Sequence, residues 1–295
     1  MKSGYVSIVG RPNVGKSTLL NCILETHLAI TSNKAGTTRN IIEGIYEDEG
    51  SQIIFVDTPG IHKPINKLGN ILNKKAYSTS ENVDLILFLV DIEAGIGKGD
   101  MFVLEKLKEE NLPIILVLNK VDRVNKDKLL ELIMKYKDLY DFSEIFPISA
   151  LKNDNVNALI KTIKKYLPNE GKIFESDMFT NISTNFYISE IIREKVLRKT
   201  REEVPHSVTC VVEKRIDNKD KEIIQACIIV DRESIKKIIV GKNASMLKSI
   251  GMQARADLEE YFGKKVYLEL FVKVIENWRE KEKYLKELGL DDLEN

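Results

Sequence analysis

Three cysteines, three histidines and a single tryptophan are spread through 295 residues, and no apolar run approaches the length of a membrane span. Cys22, Cys210 and Cys227 are odd in number, far apart and each set in an apolar stretch, which excludes a disulfide framework and reads as buried filler. No spacing among them and His27, His62 and His206 has the form of a metal site. A membrane helix needs about 20 consecutive apolar residues, which the chain does not offer. Met1-Lys2-Ser3-Gly4 leads straight into a strand-like run without a signal-peptide core, so a cytoplasmic location is expected. An excess of one charge is missing as well. The 45 basic residues balance 45 acidic ones, which rules out a uniformly basic coat for nucleic acid but not a local patch.

What is present, at 43% hydrophobic residues, is enough to fill about two cores. Residues 5–9, 53–56, 85–90, 114–118 and 145–148 read as buried strands alternating with crossover helices. Near-continuous apolar strands imply a mostly parallel sheet covered on both faces, with 41–46 an edge strand paired before Ile53. After Tyr166-Leu167-Pro168-Asn169-Glu170-Gly171 both periods vanish. The second half then reads as helix 186–199, strands 208–216 and 223–230, helices 234–240 and 245–262, and strand 265–274, which implies a small sheet with helices on one face. The expected fold is therefore α/β with a mixed, mostly parallel sheet, followed by a smaller α+β domain. The expected boundaries are a first domain at 1–168, a linker at 169–185, a second domain at 186–275 and a helical tail at 276–295.

Directly after the first strand stands Gly10-Arg11-Pro12-Asn13-Val14-Gly15-Lys16-Ser17, with Thr18 in the helix-like run behind it. The two glycines let backbone amides turn onto phosphate oxygens, the helix adds its positive dipole end, Lys16 reaches the terminal phosphates and Ser17 suits magnesium. This spacing predicts a nucleoside triphosphate. Strand 53–56 ends in Asp57-Thr58-Pro59-Gly60, where Asp57 holds the magnesium shell and the Gly60 amide meets a γ-phosphate. In Gly36-Thr37-Thr38-Arg39 a threonine hydroxyl, assigned to Thr38, joins the metal only when triphosphate is present, which makes a switch element. Asn119-Lys120-Val121-Asp122 chooses the base. The Asp122 carboxylate only accepts, so it matches the adjacent N1–H and amine donors of guanine, a pair that adenine lacks. Asn119 is expected to brace the loop, the Lys120 stem to lie along the ring, and Ser149-Ala150-Leu151 to give a backbone amide to the guanine oxygen.

With these motifs in order at strand ends, residues 1–167 resemble the translation-factor-type GTPases. The resemblance implies GTP and GDP as ligands, magnesium as cofactor, and hydrolysis that relies on Lys16, Thr38 and Gly60. Ile61 stands where many signalling GTPases have a water-orienting glutamine. That departure implies the branch in which Asn13 helps to hold a potassium ion in place of an arginine finger, with slow intrinsic hydrolysis stimulated by potassium or a partner. His62 is expected to be exposed and non-catalytic.

In the second half, Ile238-Ile239-Val240-Gly241-Lys242-Asn243-Ala244 resembles the Gly-x-x-Gly loop of KH domains, which clamps the phosphates of four single-stranded nucleotides. Ala244 takes the place of the last glycine. The loop is expected to keep helical geometry there, with close backbone approach weakened. Residues 185–275 carry 18 Lys and Arg against 14 Asp and Glu, a local excess of +4. Lys236, Lys237, Lys242, Lys248 and Arg255 are expected around the loop, where counterion release supplies affinity. The element order fits the second topological type of KH fold. With Phe186-Tyr187-Ile188-Ser189-Glu190-Ile191-Ile192-Arg193-Glu194-Lys195 and Val204-Pro205-His206-Ser207-Val208, the whole chain resembles the Era family. The family implies a bacterial GTPase that binds the 3′ region of 16S ribosomal RNA and assists small-subunit assembly, with some peripheral association at the inner face of the cell membrane. RNA rather than DNA is the expected partner, and the chain is expected to be a monomer. Two other readings stand beside this one: a constitutive RNA clamp with GTP as a structural ligand, and a regulatory GTPase whose basic face meets anionic lipid.

Overall fold

The structure is a computed structural model that describes every residue except 35, 62, 63, 65, 79–82, 176, 177 and 291–295, so the expectation for His62 lies outside the described residues. The chain divides into two units, 1–65 with 69–181, and 66–68 with 182–295. The first unit runs β1 (Lys2–Val9), α1 (Lys16–Leu24), β2 (Ile42–Asp48), β3 (Ser51–Asp57), α2 (Lys67–Ser78), β4 (Leu85–Asp91), α3 (Lys98–Leu107), β5 (Ile114–Asn119), α4 (Lys126–Lys137), β6 (Glu144–Ile148) and α5 (Val156–Ile163). Every residue of β3, β4 and β5 is buried, as strands covered on both faces must be. The sheet order is β2-β3-β1-β4-β5-β6, with β2 antiparallel to β3 and the other pairs parallel. Pro147 sits in β6 at one edge, where its missing N–H costs least. Parallel strands bring their carboxyl ends to one edge of the sheet. The segments after Val9, Asp57, Asn119 and Ile148 therefore meet there, with β1 between β3 and β4 at the point where the chain changes direction across the sheet.

The segment expected as a linker at 169–185 is bound to the first unit as far as residue 181. Phe179 O accepts from Ile45 N at 3.0 Å, Thr180 bridges Gly44, and Asn181 Oδ1 accepts from Glu43 N at 3.1 Å, all on the outer edge of β2. Further back, Gln52 Oε1 accepts from the Ile173 and Phe174 amides at 2.8 Å each, and its Nε2 donates to Phe174 O at 2.9 Å. One buried side chain thus does for this segment what a strand ladder would do. That is why it docks without strand or helix periodicity.

The second unit runs α6 (Thr184–Lys199), β7 (Val208–Asp217), β8 (Lys221–Val230), α7 (Glu233–Val240), α8 (Ser245–Phe262), β9 (Lys265–Val274) and a short α9 (Glu282–Glu287). Ser183 caps α6 by accepting from Phe186 N at 3.2 Å. In the sheet β7-β8-β9 the first pair is antiparallel, with its register shifted between Val212 and Lys214, and the second is parallel. A parallel pair needs a crossover, which α7 and α8 provide. Ile235, Ile239, Ile250, Ala254 and Leu258 from these helices join the core with Val208, Ile224, Ile228 and Val266. The expected tail helix is interrupted. A 3₁₀ turn, Trp278–Glu280, precedes α9, because the fully buried Trp278 ring is fixed by donating Nε1 to Ser207 O at 3.0 Å and Arg279 pairs with Asp231 at 2.7 Å. No helix among the described residues is long and apolar enough to cross a membrane.

Candidate functional site

The loop from Gly10 to Ser17 is held open by its own lysine. Lys16 Nζ donates to the Gly10 and Arg11 carbonyls at 3.1 Å each, curling the loop around a buried ammonium. Burial pushes the Lys16 pKa down to about 8, the nearby Asp57 opposes this and Arg11 adds to it. Gly15 has φ 103°, and a Cβ there would stand 2.3 Å from Asn119 Nδ2, so both its conformation and its space demand glycine. Thr18 lies half-buried in the first turn of α1, behind Ser17.

Three oxygen donors converge beside the loop. Ser17 Oγ donates to Asp57 Oδ2 at 2.7 Å and lies 2.9 Å from Thr38 Oγ1, which is itself 3.5 Å from Asp57 Oδ2. Thr37 is turned the other way, donating to Lys34 O at 2.6 Å, so of the two threonines the fold brings Thr38 to the cluster. Asp57 Oδ1 is buried with no hydrogen-bond partner, and burial pushes the carboxyl up to about 6, with Lys16, Ser17 and Thr38 opposing. A buried carboxylate with an orphaned oxygen, flanked by two hydroxyls, fits a hard dication such as magnesium. Thr58 faces away and donates to Ile8 O at 2.9 Å, while Pro59 is buried. Gly60 is packed so closely that a Cβ would lie 2.9 Å from Pro12. Ile61 is buried in the core with Val9, Phe88 and Val90 and donates its amide to Gly10 O at 3.2 Å.

The base end is a second network. Asn119 Nδ2 donates to Val14 O at 2.8 Å and its Oδ1 accepts from Ala150 N at 3.0 Å, tying the phosphate loop to the loop after β6. Lys120, with φ 71°, donates to Asn13 O at 3.1 Å and to Asp91 Oδ2 at 2.5 Å. Val121 opens a 3₁₀ turn that carries the exposed Asp122, whose Oδ1 accepts from Ser149 Oγ at 2.6 Å. Ser149 and Ala150 are buried and Leu151 is exposed. Asn13 adopts φ 67° and its side-chain Nδ2 donates to Asn33 O at 3.0 Å.

In the second unit, Gly241 ends α7 at φ 72°, where a Cβ would stand 2.8 Å from Met246 Cβ. Lys242, Asn243 and Ala244 form a 3₁₀ turn into α8, with Ala244 N donating to Gly241 O at 3.2 Å. Ala244 does not keep the expected helical geometry. It takes φ 59°, the left-handed conformation that a glycine would adopt freely. Lys237, Lys242 and Lys248 are exposed close to the loop in sequence, and Lys236 is half-buried on α7. Arg255 stands ten residues into α8, about 15 Å along the helix from its start. It shares an exposed stripe with Lys248 and Met252 rather than the loop itself.

Residues 5–120 match a family model described as "50S ribosome-binding GTPase", and residues 203–279 match one described as "KH domain". A solved structure described as Era in complex with MgGDPNP and nucleotides 1506–1542 of 16S ribosomal RNA is 42% identical, covering 98% of this chain and 99% of its own, with a TM-score of 0.96. The chain belongs to the Era family. A variant of Era from Aquifex aeolicus bound to GDP and AlF4⁻ agrees, at 42% identity, with the same coverage and a TM-score of 0.94. An Era-family chain is a GTPase with a P-loop domain followed by a KH domain, and the two sheets described above are those domains.

Three residues of this Era-family site carry no motif. Asp91 pairs with Lys120, Asp100 grips Arg11 through Nε at 3.0 Å, and Gln52 anchors the connector to the sheet. The sequence signal for Asp91 is its place at the end of an apolar strand, as with Asp57. Asp100 and Gln52 offer none, because their partners lie 89 and more than 120 residues away.

Proposed function

We propose that this chain is a GTP-operated switch that binds single-stranded RNA from the 3′ region of 16S rRNA through its KH domain and assists assembly of the small ribosomal subunit. The observation that carries this reading is the relative that matches both domains at 42% identity and was solved with MgGDPNP and 16S rRNA together. The large-subunit wording of the other match belongs to a model that covers the first domain alone.

The first domain supports the hydrolytic half. Lys16 exchanges its carbonyl partners for phosphate oxygens, which also offset the cost of burying its charge. Ser17, Thr38 and Asp57 hold magnesium, which when bound neutralises charge on the phosphates. Backbone amides from Asn13 to Ser17 cradle the phosphates and the Gly60 amide donates to the γ-phosphate. Asp122 and the Ala150 amide read guanine, Asn119 and Lys120 brace the loops around it, and water attacks in line. Ile61, sealed in the core, has no polar atom for that water. Asn13 would lend its side-chain oxygen to a potassium ion, so replacing Asn13 with alanine is expected to abolish potassium stimulation.

Coupling runs through β2. It starts four residues after Thr38, its Ile42 pairs with Asp57, and its outer edge holds residues 179–181. When Thr38 lets go after hydrolysis, the strand that carries the connector loses its tether to the metal site. In the KH domain, Gly241, Lys242, Asn243 and Ala244 clamp phosphates, Lys236, Lys237 and Lys248 add charge, and Arg255 meets a longer strand. The reading is completed by a cytoplasmic monomer with weak attraction to the inner membrane face.

The test is GTP turnover with and without a single-stranded RNA from the 16S 3′ end, at matched potassium and sodium. Stimulation by RNA and by potassium is expected. Turnover indifferent to RNA would leave only a constitutive clamp.

A further inference from the structure

Asp100 lies outside every motif that reads GTP, yet its carboxylate is only 1% exposed and is spent on the phosphate loop. Its two oxygens accept from Arg11 Nε at 3.0 and 3.1 Å. Oδ2 also accepts from Gly97 N at 2.9 Å, which anchors the carboxylate to the N-terminal turn of α3. Gly99 leaves the passage open, since a Cβ there would stand 3.3 Å from Arg11 Cδ.

The backbone that this grip holds is a shared support. Gly10 O receives both Lys16 Nζ and the Ile61 amide, and Arg11 O receives Lys16 Nζ again. Pro12 is the surface against which Gly60 lies. We propose that Asp100 is a positioning residue for GTP hydrolysis: by locking the Arg11 guanidinium it fixes the 10–12 arm against which Gly60 and Ile61 are set. Asp100 touches no substrate itself. It acts through Arg11, whose single Nε–H is shared by both oxygens of a buried carboxylate that Gly97 N holds in place, a charge-assisted bond with a fixed acceptor. Burial pushes the Asp100 carboxyl upward while Arg11 and Gly97 pull it down, so the charged form leans on the partners it positions. The nucleotide itself is held mainly elsewhere, by the amides of 13–17, Lys16 and Asp122. Loosening the arm should therefore disturb the reacting end more than binding.

The experiment uses the full chain without RNA and measures kcat, KM and GDP affinity for D100N, R11M and the double variant. D100N keeps the size of the side chain and an acceptor for Gly97 but removes the charge from Arg11. Expected is a fall in kcat of about 10- to 100-fold, the scale of a displaced catalytic arm, with GDP affinity within about threefold. R11M should show the same split, and D100N/R11M should be no worse than either alone, because the pair acts as one unit. R11K should recover part of kcat. Should D100N fail to fold, R11M and R11K still decide, since the Arg11 side chain is 24% exposed and can be changed without burying a void. Unchanged kcat in R11M, affinity falling in step with kcat, or losses that multiply in the double variant would each overturn the assignment.

Discussion

The loop at 10–17 and the loop at 241–244, both proposed above to meet phosphate, are built in opposite ways. The first is shaped by side chains from distant segments: Asn119 on Val14 O, Lys120 on Asn13 O and Asp100 on Arg11. The second is shaped by its own backbone, with Gly241, Asn243 and Ala244 all at positive φ and main-chain bonds from Gly241 to Lys237 and from Ala244 to Gly241. A buried network suits one small ligand whose charge and base must be told apart from close relatives. An exposed backbone turn suits a polymer held by repeated phosphates, where each contact is modest and screened by salt.

The sharpest break in that comparison should come at Asp122. Replacing it with asparagine removes two charge-assisted hydrogen bonds to guanine, each worth about 1.5–3 kcal/mol. GDP affinity should fall at least about 100-fold, read by nucleotide titration. Xanthosine diphosphate, which offers a carbonyl where guanine has its amine, should lose less, and RNA binding by the nucleotide-free protein should not change.

Next in size is Ser17→Ala. It removes one of three converging oxygens and should cost GTP affinity about 10-fold or more in magnesium, with a much smaller loss in EDTA. Titrations with and without the metal check this. In the other loop, Gly241→Ala forces a side chain into positive φ and onto Met246, so single-stranded RNA affinity should drop about 5- to 30-fold, equivalent to about 1–2 kcal/mol of left-handed strain. GDP affinity should stay put.

The smallest effect is expected at Ala244. Converting it to glycine relieves about 1–2 kcal/mol of left-handed strain but adds about 0.5–1 kcal/mol of chain entropy. A net gain of roughly 0.5 kcal/mol should appear as a melting temperature higher by about 1–2 °C. A fall in melting temperature would mean that the turn is not held at positive φ.

The same contrast governs how much could be read from the residues alone. The strands of the first domain were legible because burial on both faces forces continuous apolar runs, as in β4 and β5. The nucleotide site was legible because its chemistry sits in fixed spacing at strand ends. Helix α8 and strand β9 were legible from their periodicity, and Gly263 caps the helix between them. Other features depend on partners that only the fold supplies. The turn before β2 that sets Thr38 beside Asp57 and directs Thr37 to Lys34 O is made by contacts of the fold, although Thr38 itself was assigned from the motif. The connector docks through Gln52, a residue with no strand pattern around it on the connector side. Ala244 adopts a glycine conformation because Gly241 and the start of α8 fix both of its ends, against the preference of its own side chain.

The central claim is that the buried network governs the exposed loop through β2 and the connector. The most direct test is the dissociation constant of the full chain for a short single-stranded RNA from the 16S 3′ end, measured in GDP and in GDPNP with magnesium at one salt concentration. The account predicts affinity at least about fivefold tighter with GDPNP, a coupling of about 1 kcal/mol. Equal affinity in the two nucleotide states would contradict it.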